Sequence, residues 1–396
     1  MWLRRLELTD FRSWERAAVE LGRGVTVFVG ANAQGKTNLL EAIHRAALGS
    51  SHRVSGDRPL VRRGKHQALV RLGVTTDAGR QRDLVVEIAP GGRGRTKVDG
   101  QEVRRAADAV GVVRLVLFAP EDLALVRGDP AARRRFLDDV LSQRRPAYAA
   151  TRGEYERAVR QRNQLLKQRR GLAPAARARA DETLGSWSEQ VVTHGAPLVA
   201  ARAAAVEILA GPVASRYAQV ADQPDPVAIR YVPGGLAEAE DPSAEPPEGF
   251  SDITAVKTMM RAALEARADE EHRRAVTLVG PHRDDLELAI NELPARTHAS
   301  QGEAWSLALA MRLASWELLA EVGDRPVVCL DDVFSELDET RRRHLAEACA
   351  DWEQVIVTAA VESDVPLEGR WIDVGTSDAI SMLVPRDGGP GLRAVP

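Results

Sequence analysis

The chain has 396 residues, 44% apolar and 28% charged, with a net charge of −3, which allows two or three globular domains and a sizeable core. Its opening, Met1-Trp2-Leu3-Arg4-Arg5-Leu6-Glu7-Leu8, has charges among its apolar positions and so lacks the continuous apolar region of a secretory signal, and no stretch approaches the roughly 18 to 20 apolar residues of a membrane span. Cys329 and Cys349 are the sole cysteines, and Cys329 lies inside an apolar run, so a disulfide framework is excluded and a reduced, cytoplasmic protein without a membrane partner is expected.

Residues 1–118 read mainly as strands, at 6–11, 25–29, 68–74, 84–88 and 112–118, separated by turns such as Gly91-Gly92-Arg93-Gly94. One helix, opening Thr37-Asn38-Leu39-Leu40-Glu41-Ala42-Ile43, interrupts them. Between the 25–29 strand and that helix runs Gly30-Ala31-Asn32-Ala33-Gln34-Gly35-Lys36-Thr37, which fits the phosphate-cradling pattern G-x-x-x-x-G-K-[ST] at every fixed position. Glycines let backbone N–H groups converge on phosphate oxygens, and the helix N-terminus adds partial positive charge. Lys36 is expected to reach the β- and γ-phosphates of a nucleoside triphosphate, and the Thr37 hydroxyl to ligand Mg²⁺.

From Pro130 to about Gly211 the pattern turns to long, charged, alanine-rich helices, with breaks expected at Gly171-Leu172-Ala173-Pro174, Gly195-Ala196-Pro197 and Gly211-Pro212. The acidic, proline-rich stretch 222–249 reads as an exposed loop, and 253–274 as a second helical run. Strands are expected again at 276–279, 327–330 and 354–358. Between the first two of these, 303–322 has helical spacing, with Ser300 as N-cap and Glu303 completing a capping box. Charge is uneven: residues 101–180 carry 18 Lys/Arg against 9 Asp/Glu, a balance of +9, whereas 221–250 carry one Arg against seven acids. Arg133-Arg134-Arg135, Arg144-Arg145 and Arg169-Arg170 fit either a phosphate-facing surface or a solvated, arginine-rich helix, and the sequence leaves both open.

Asp331 and Asp332 follow Val327-Val328-Cys329-Leu330, the apolar-run-then-acid layout of a Walker B strand. Asp331 would belong to the Mg²⁺ sphere, and Asp332 would orient or deprotonate the attacking water. About 295 residues separate Lys36 from Asp331, more than a compact single-domain kinase or GTPase needs, so something large is inserted. Ser300-Gln301-Gly302-Glu303 is a near relative of the S-G-G-[QE] signature of ABC-type ATPases, and Ser335-Glu336-Leu337-Asp338 fits their D-loop. In such ATPases the signature serine and helix N-terminus of one subunit meet the γ-phosphate held on the other, which predicts a nucleotide-dependent homodimer.

These residues resemble the RecF family of recombination-mediator ATPases, related to SMC-type heads. The resemblance runs over essentially the whole chain, through Leu6-Glu7-Leu8-Thr9-Asp10-Phe11-Arg12-Ser13, the P-loop, Phe118-Ala119-Pro120-Glu121-Asp122-Leu123, Arg133-Arg134-Arg135-Phe136-Leu137-Asp138, Val279-Gly280-Pro281-His282-Arg283-Asp284-Asp285 and Leu330-Asp331-Asp332-Val333-Phe334-Ser335-Glu336-Leu337-Asp338. It implies an α/β fold: an ABC-type ATPase head with a mixed β-sheet core and an inserted, mainly helical arm or lobe. The expected boundaries are 1–125, 126–275 and 276–396. The insertion is too short for a long coiled coil, since two arms of about 60 residues reach at most roughly 90 Å.

The resemblance further implies ATP and Mg²⁺ as cofactors, DNA at single-strand gaps or double-strand/single-strand junctions as partner, mediator proteins of the RecO/RecR type, and a role in repair and replication restart. Gly30 to Thr37, Ser300, Gly302, Asp338 and Arg12 are the expected nucleotide contacts, Lys36 and Asp332 the catalytic residues, Thr37 and Asp331 the metal ligands. Two features depart from the wider ABC pattern. Pro120-Glu121-Asp122 stands where transporter motors have a Q-loop glutamine, and Thr358-Ala359-Ala360 where they have a switch histidine; with Asp332 in place of Glu, slow hydrolysis is expected. The competing reading is an SMC-like or ABC motor that does not act on DNA. His282-Arg283-Asp284-Asp285 reads as a turn held by local hydrogen bonds rather than a metal site. Arg53 is a candidate charge stabiliser. Trp187, Trp305, Trp316 and Trp352 read as packing residues.

Overall fold

The structure, a computed structural model, describes residues 1–92, 94–221, 225–236 and 249–384. The chain divides into two compact units, one of residues 1–123, 215–224 and 300–396, the other of 124–214 and 225–299.

The first unit holds two six-stranded sheets. One is antiparallel, ordered Trp14–Glu20, Trp2–Phe11, Ala68–Thr75, Gln81–Ile88, Thr96–Val98, Gln101–Glu102. Its strands alternate: Leu6, Leu8 and Phe11 point inward while Arg5 and Thr9 face water. The other sheet is ordered Ile380–Val384, Arg370–Ser377, Gly24–Val29, Gln354–Ala359, Val327–Asp331, Leu115–Phe118, parallel throughout except for the Ile380–Val384 edge. Its central strands are covered on both faces and therefore read as unbroken apolar runs such as Val27-Phe28-Val29 and Val355-Ile356-Val357.

Register in this second sheet positions the chemistry. Asp331 lies opposite Thr358, and Ala359 opposite Val29, so three strands end at one edge. The helix Lys36–Leu48 starts there, and its Leu39, Leu40, Ala42 and Ile43 are fully buried in the core that the two sheets share. The helix Gln301–Ala320 has the expected capping box, with Ser300 N donating to Glu303 Oε2 (2.6 Å) and Glu303 N to Ser300 Oγ (3.3 Å).

The second unit has helices Pro130–Arg144, Pro146–Arg169, Ile253–Ala266 and Ala268–Arg274, most of Pro174–Val220, and a small antiparallel sheet ordered Leu293–Pro294, Asp285–Ile290, Val227–Val232. Several expectations are corrected here. Pro174–Val220 runs unbroken through Pro197 and Pro212. Val191, Val192, Ala196, Leu198 and Val199 around Pro197, and Leu209 and Val213 around Pro212, are at most 1% exposed, and their burial outweighs the hydrogen bond each proline forfeits. Gly195 is there for close approach rather than for a break, since a Cβ would stand 2.8 Å from Met260 Cε and 3.0 Å from Tyr155 Cε2. The same helix is long and apolar enough to cross a membrane by length and composition, against expectation, although half of its apolar window is buried as in a core helix.

Val227–Val232 is a strand inside the expected loop, because its alternating residues pair with Asp285–Ile290, Tyr231 opposite Leu286. The remainder of that stretch, 222–224 and 237–248, lies outside the described residues. Residues 276–279 are not a strand: Thr277 N and Oγ1 both donate to Asn163 Oδ1 (2.7 and 2.8 Å) and Leu278 N to Glu271 Oε1 (2.7 Å), so side chains replace a neighbouring strand. Asp285–Ile290 completes this small sheet and lies with it in the second unit, which runs through residue 299.

A further correction concerns the arginine trio. Arg133 is 4% exposed, forks onto Asp285 (2.7 and 2.9 Å) and donates to Gly128 O (2.9 Å), while Arg134 donates to Asp284 O (2.6 Å). Part of the +9 balance is thus neutralised internally. The 280–285 segment holds a short turn, Pro281–Arg283, and its bonds come largely from residues distant in the chain rather than from local ones: Asp284, 1% exposed, accepts from Arg202 Nη1 and Gly234 N (both 2.7 Å) and from the Tyr231 hydroxyl. His282 bridges the Tyr155 hydroxyl (2.6 Å) and Thr277 O (3.0 Å), and burial pulls its pKa down to about 4. Among the described residues no group of three His, Cys, Asp or Glu stands close enough to hold a metal ion.

Candidate nucleotide site

The loop from Gly30 to Thr37 follows the strand Gly24–Val29 and is pinned from several sides. A Cβ at Gly30 would stand 2.2 Å from Val374 O, so the neighbouring strand excludes any side chain. Gly35 has φ +98° and no room either, its Cβ position being 2.3 Å from Ser381 Oγ. Trp14 Nε1 donates to Gly35 O (3.1 Å), and Ser13 Oγ accepts from Asn38 Nδ2 (2.9 Å) and from Ser381 Oγ (2.7 Å). Lys36 Nζ donates to Gly30 O (2.7 Å) and Ala31 O (2.9 Å). Burial lowers the pKa of Lys36, opposed by the charges of Asp332 and Asp331.

Asp331, 2% exposed, receives Thr37 Oγ1 (2.9 Å) and Thr358 Oγ1 (2.6 Å) on the same Oδ1. Burial pushes its pKa up, and the two hydroxyl bonds pull it back. Asp332 adopts the left-handed region (φ 53°, ψ 23°), uncommon for a non-glycine residue, and its N donates to both Thr358 O (3.1 Å) and Thr358 Oγ1 (3.0 Å). Thr358 therefore braces both aspartates. In the sequence it stands where a switch histidine would be, with no role of its own; the signal there is a hydroxyl residue ending a strand, to be set beside the Asp-Asp pair.

A cavity of about 260 Å³ is lined by loop residues including Asn32, Lys36 and Thr37, together with Arg53 and Asp332. A second, of about 520 Å³, shares Asn38 and Arg53 with it and adds Arg12, Arg58, Arg62, Arg63 and Lys65, with no carboxylate in its lining. Arg12 lines this second cavity rather than the first. Its guanidinium forks onto Glu41 (2.8 and 2.6 Å), which is fully buried and also accepts from Ser51 Oγ (2.5 Å). In the sequence Glu41 reads only as part of a helix.

The Thr37 hydroxyl and the Asp331 carboxylate fit Mg²⁺, a hard cation that takes oxygen donors and is usually held by one or two carboxylates plus substrate phosphates. Ser300, Gly302 and Asp338 do not line either cavity. They form their own cluster in the same unit: Asp338 caps the helix Glu339–Cys349 by accepting from Arg341 N (2.9 Å), and the Arg341 side chain lies against Gly302. The structure thus gathers Gly30 to Thr37, Asp331 and Asp332 in one place and the signature and D-loop residues in another. Trp305 and Trp352 are buried, and Trp316 stacks on Trp352 with ring centres 5.8 Å apart.

Residues 2–374 match the family described as the RecF/RecN/SMC N terminal domain. Two solved structures of the recombination mediator protein RecF in the RecFOR pathway, one with ATP and one with ATPrS, are each 26% identical to this chain, cover 97% of it and 98% of their own length, and superpose with TM-score 0.83. An Smc head domain derived from Pyrococcus furiosus, with an extended coiled coil and bound to the C-terminal domain of ScpA, is 16% identical over 97% of this chain and 96% of its own, with TM-score 0.53, a likeness of fold.

Proposed function

This chain belongs to the RecF/RecN/SMC N-terminal domain family, and on that premise we propose that it is a RecF-type ATPase of recombinational DNA repair. It binds ATP, closes into a homodimer, engages DNA at single-strand gaps or double-strand/single-strand junctions, and hydrolyses ATP slowly in the cytoplasm while RecO/RecR-type mediators load the recombinase. The observation that carries the reading is the Thr37–Asp331–Thr358 cluster beneath a complete P-loop, in a chain alike to RecF with ATP over 97% of its length.

In this reading Lys36 leaves the carbonyls of Gly30 and Ala31 for the β- and γ-phosphates, and Thr37 and Asp331 hold Mg²⁺. The metal would offset the charge that develops on the phosphoryl oxygens. Asp332, fixed in its left-handed conformation by Thr358, orients the attacking water. Arg12 and the basic cavity beside the P-loop receive the rest of the nucleotide. Ser300, Gly302 and Asp338 serve the nucleotide bound on the partner protomer, which explains why they line no cavity with Lys36. Phosphate neutralisation falls to exposed cations such as Arg157, Arg160 and Lys167 on the helix Pro146–Arg169, since Arg133 and Arg134 are engaged within the fold.

Sedimentation with ATP, ADP or no nucleotide, each with and without gapped DNA, tests the whole reading. The expected result is a dimer with ATP alone and tighter DNA association in that state. A sedimentation coefficient indifferent to nucleotide overturns it.

A further inference from the structure

Beyond the residues that would touch nucleotide, we propose that Arg341 is a positioning residue that joins the signature helix and the D-loop into one rigid surface, presented to the partner protomer's nucleotide. The assignment rests on the shared-site reading above.

Arg341 lies in the first turn of the helix Glu339–Cys349 and is 9% exposed. Its guanidinium forms an ion pair with the Asp338 carboxylate while its backbone N donates to Asp338 Oδ1 (2.9 Å), so the D-loop acid is held by side chain and backbone of one residue. The same guanidinium donates from Nε to Ser306 Oγ (2.8 Å), fully buried on the helix Gln301–Ala320. It also lies against the signature glycine: a Cβ on Gly302 would stand 2.9 Å from Arg341 Nη2 and 3.3 Å from Cζ. Gly302 does not have positive φ, so its backbone conformation does not demand glycine. An added Cβ would instead press the end of the Arg341 side chain out of its place. Glu303, the capping-box acid, has its pKa lowered first by Ser300 and then by the charge of Arg341.

One planar fork therefore contacts the D-loop acid on one side and two turns of the signature helix on the other. A lysine, a compact charge with no fixed fork, cannot make both sets of contacts at once. If Ser300, Gly302 and Asp338 must meet a γ-phosphate together, their relative placement has to survive dimer closure, and a misplacement of about 1 Å costs roughly a hundredfold in rate.

Arg341→Gln is predicted to bind ATP within about twofold of wild type, because its own P-loop is untouched, while turnover and ATP-dependent dimerisation fall roughly ten- to a hundredfold. Mixing separates a role in trans from a general loss of structure. Asp332→Asn keeps an intact signature surface but cannot orient water, and Arg341→Gln keeps an intact Walker site. An equimolar mixture of the two, each nearly inactive alone, should recover up to about a quarter of wild-type turnover: half the dimers are mixed and each has one complete site. A mixture that stays at the level of its components, with Arg341→Gln melting cooperatively and binding ATP normally, overturns the assignment. Should Arg341→Gln fail to fold, Gly302→Ala takes its place, since the added methyl displaces the guanidinium from the other side; it should show the same recovery with Asp332→Asn, and none refutes the proposal. Asp332→Asn turning over like wild type would overturn the nucleotide-site reading instead, and this assignment with it.

Discussion

Thr358→Val isolates what one hydroxyl does for the pair of aspartates. The swap nearly conserves volume and keeps the β-branched shape that suits the strand Gln354–Ala359. It removes the 2.6 Å bond to Asp331 Oδ1 and the 3.0 Å acceptor for Asp332 N, though that N–H keeps Thr358 O at 3.1 Å. Thr358 is 1% exposed, so water does not replace the missing partner. A hydrogen bond to a charged group contributes about 1.5–3 kcal/mol, and loss of that stabilisation in the transition state lowers turnover roughly ten- to a hundredfold.

The pH dependence has a definite sign. Asp331 already holds its proton more tightly than the ordinary 3.8, with burial the main cause, and the Thr358 bond is the first influence opposing the rise. A raised folded-state pKa gives stability that is complete below the unfolded value and is lost as pH rises through the folded one. Removing the hydroxyl raises that folded value further, so the melting deficit of Thr358→Val should be small in acid and grow toward neutral pH. The assay is ATP turnover against Mg²⁺ concentration, with melting curves at acidic and neutral pH and Thr358→Ser as the variant that keeps the hydroxyl and stays near wild type. Wild-type turnover and Mg²⁺ half-saturation in Thr358→Val would refute the bracing role.

Lys36→Ala should weaken ATP binding by roughly ten- to a hundredfold in an equilibrium titration while leaving the fold intact, since the lysine's partners here are two loop carbonyls. Ser300→Arg should bind ATP as a monomer yet give no ATP-dependent dimer by light scattering, because bulk and charge then stand where the partner's γ-phosphate docks. Arg133→Glu should fail through stability rather than DNA affinity: it leaves Asp285 facing a like charge in a partly buried pair, a loss of about 3 kcal/mol that a melting curve reads directly. Charge reversal at Arg157 and Lys167 should instead lower DNA affinity with an unchanged melting curve, and the slope of log affinity against log salt should shrink by about one for each phosphate no longer neutralised, measured by fluorescence anisotropy on gapped DNA.

The sequence exposes those parts of the site whose chemistry is local. Gly30 to Thr37 and the Ser300–Glu303 capping box lie within eight residues or fewer, so spacing alone fixes their geometry. Asp331 and Asp332 are legible because a strand buried on both faces must be apolar until it ends. Thr358, Trp14, Ser13 and Ser381 are not legible, since each acts across strands that are neighbours in space alone. The misread elements share a cause: Pro197 sits in a helix because of what packs around it, and Thr277 leaves strand geometry because Asn163 and Glu271 satisfy its neighbourhood from other helices. Arg133 shows the limit for charge, since a run of three arginines carries no mark of which one an aspartate 152 residues away will claim.

The order of strands in the nucleotide sheet has a consequence for how the protein is made. Gly24–Val29 lies between Gln354–Ala359 and Arg370–Ser377, so the P-loop strand leaves the ribosome with neither of its sheet neighbours yet synthesised. Thr37 and Asp331 are 294 residues apart, which at about 5–20 residues per second is a wait of roughly 15 to 60 seconds. During that interval two apolar strand edges have no native partner. A ribosome that stalls before residue 354 leaves a chain with a complete P-loop sequence and no means of closing the sheet around it, so chaperone capture of nascent chains should peak before that residue is translated.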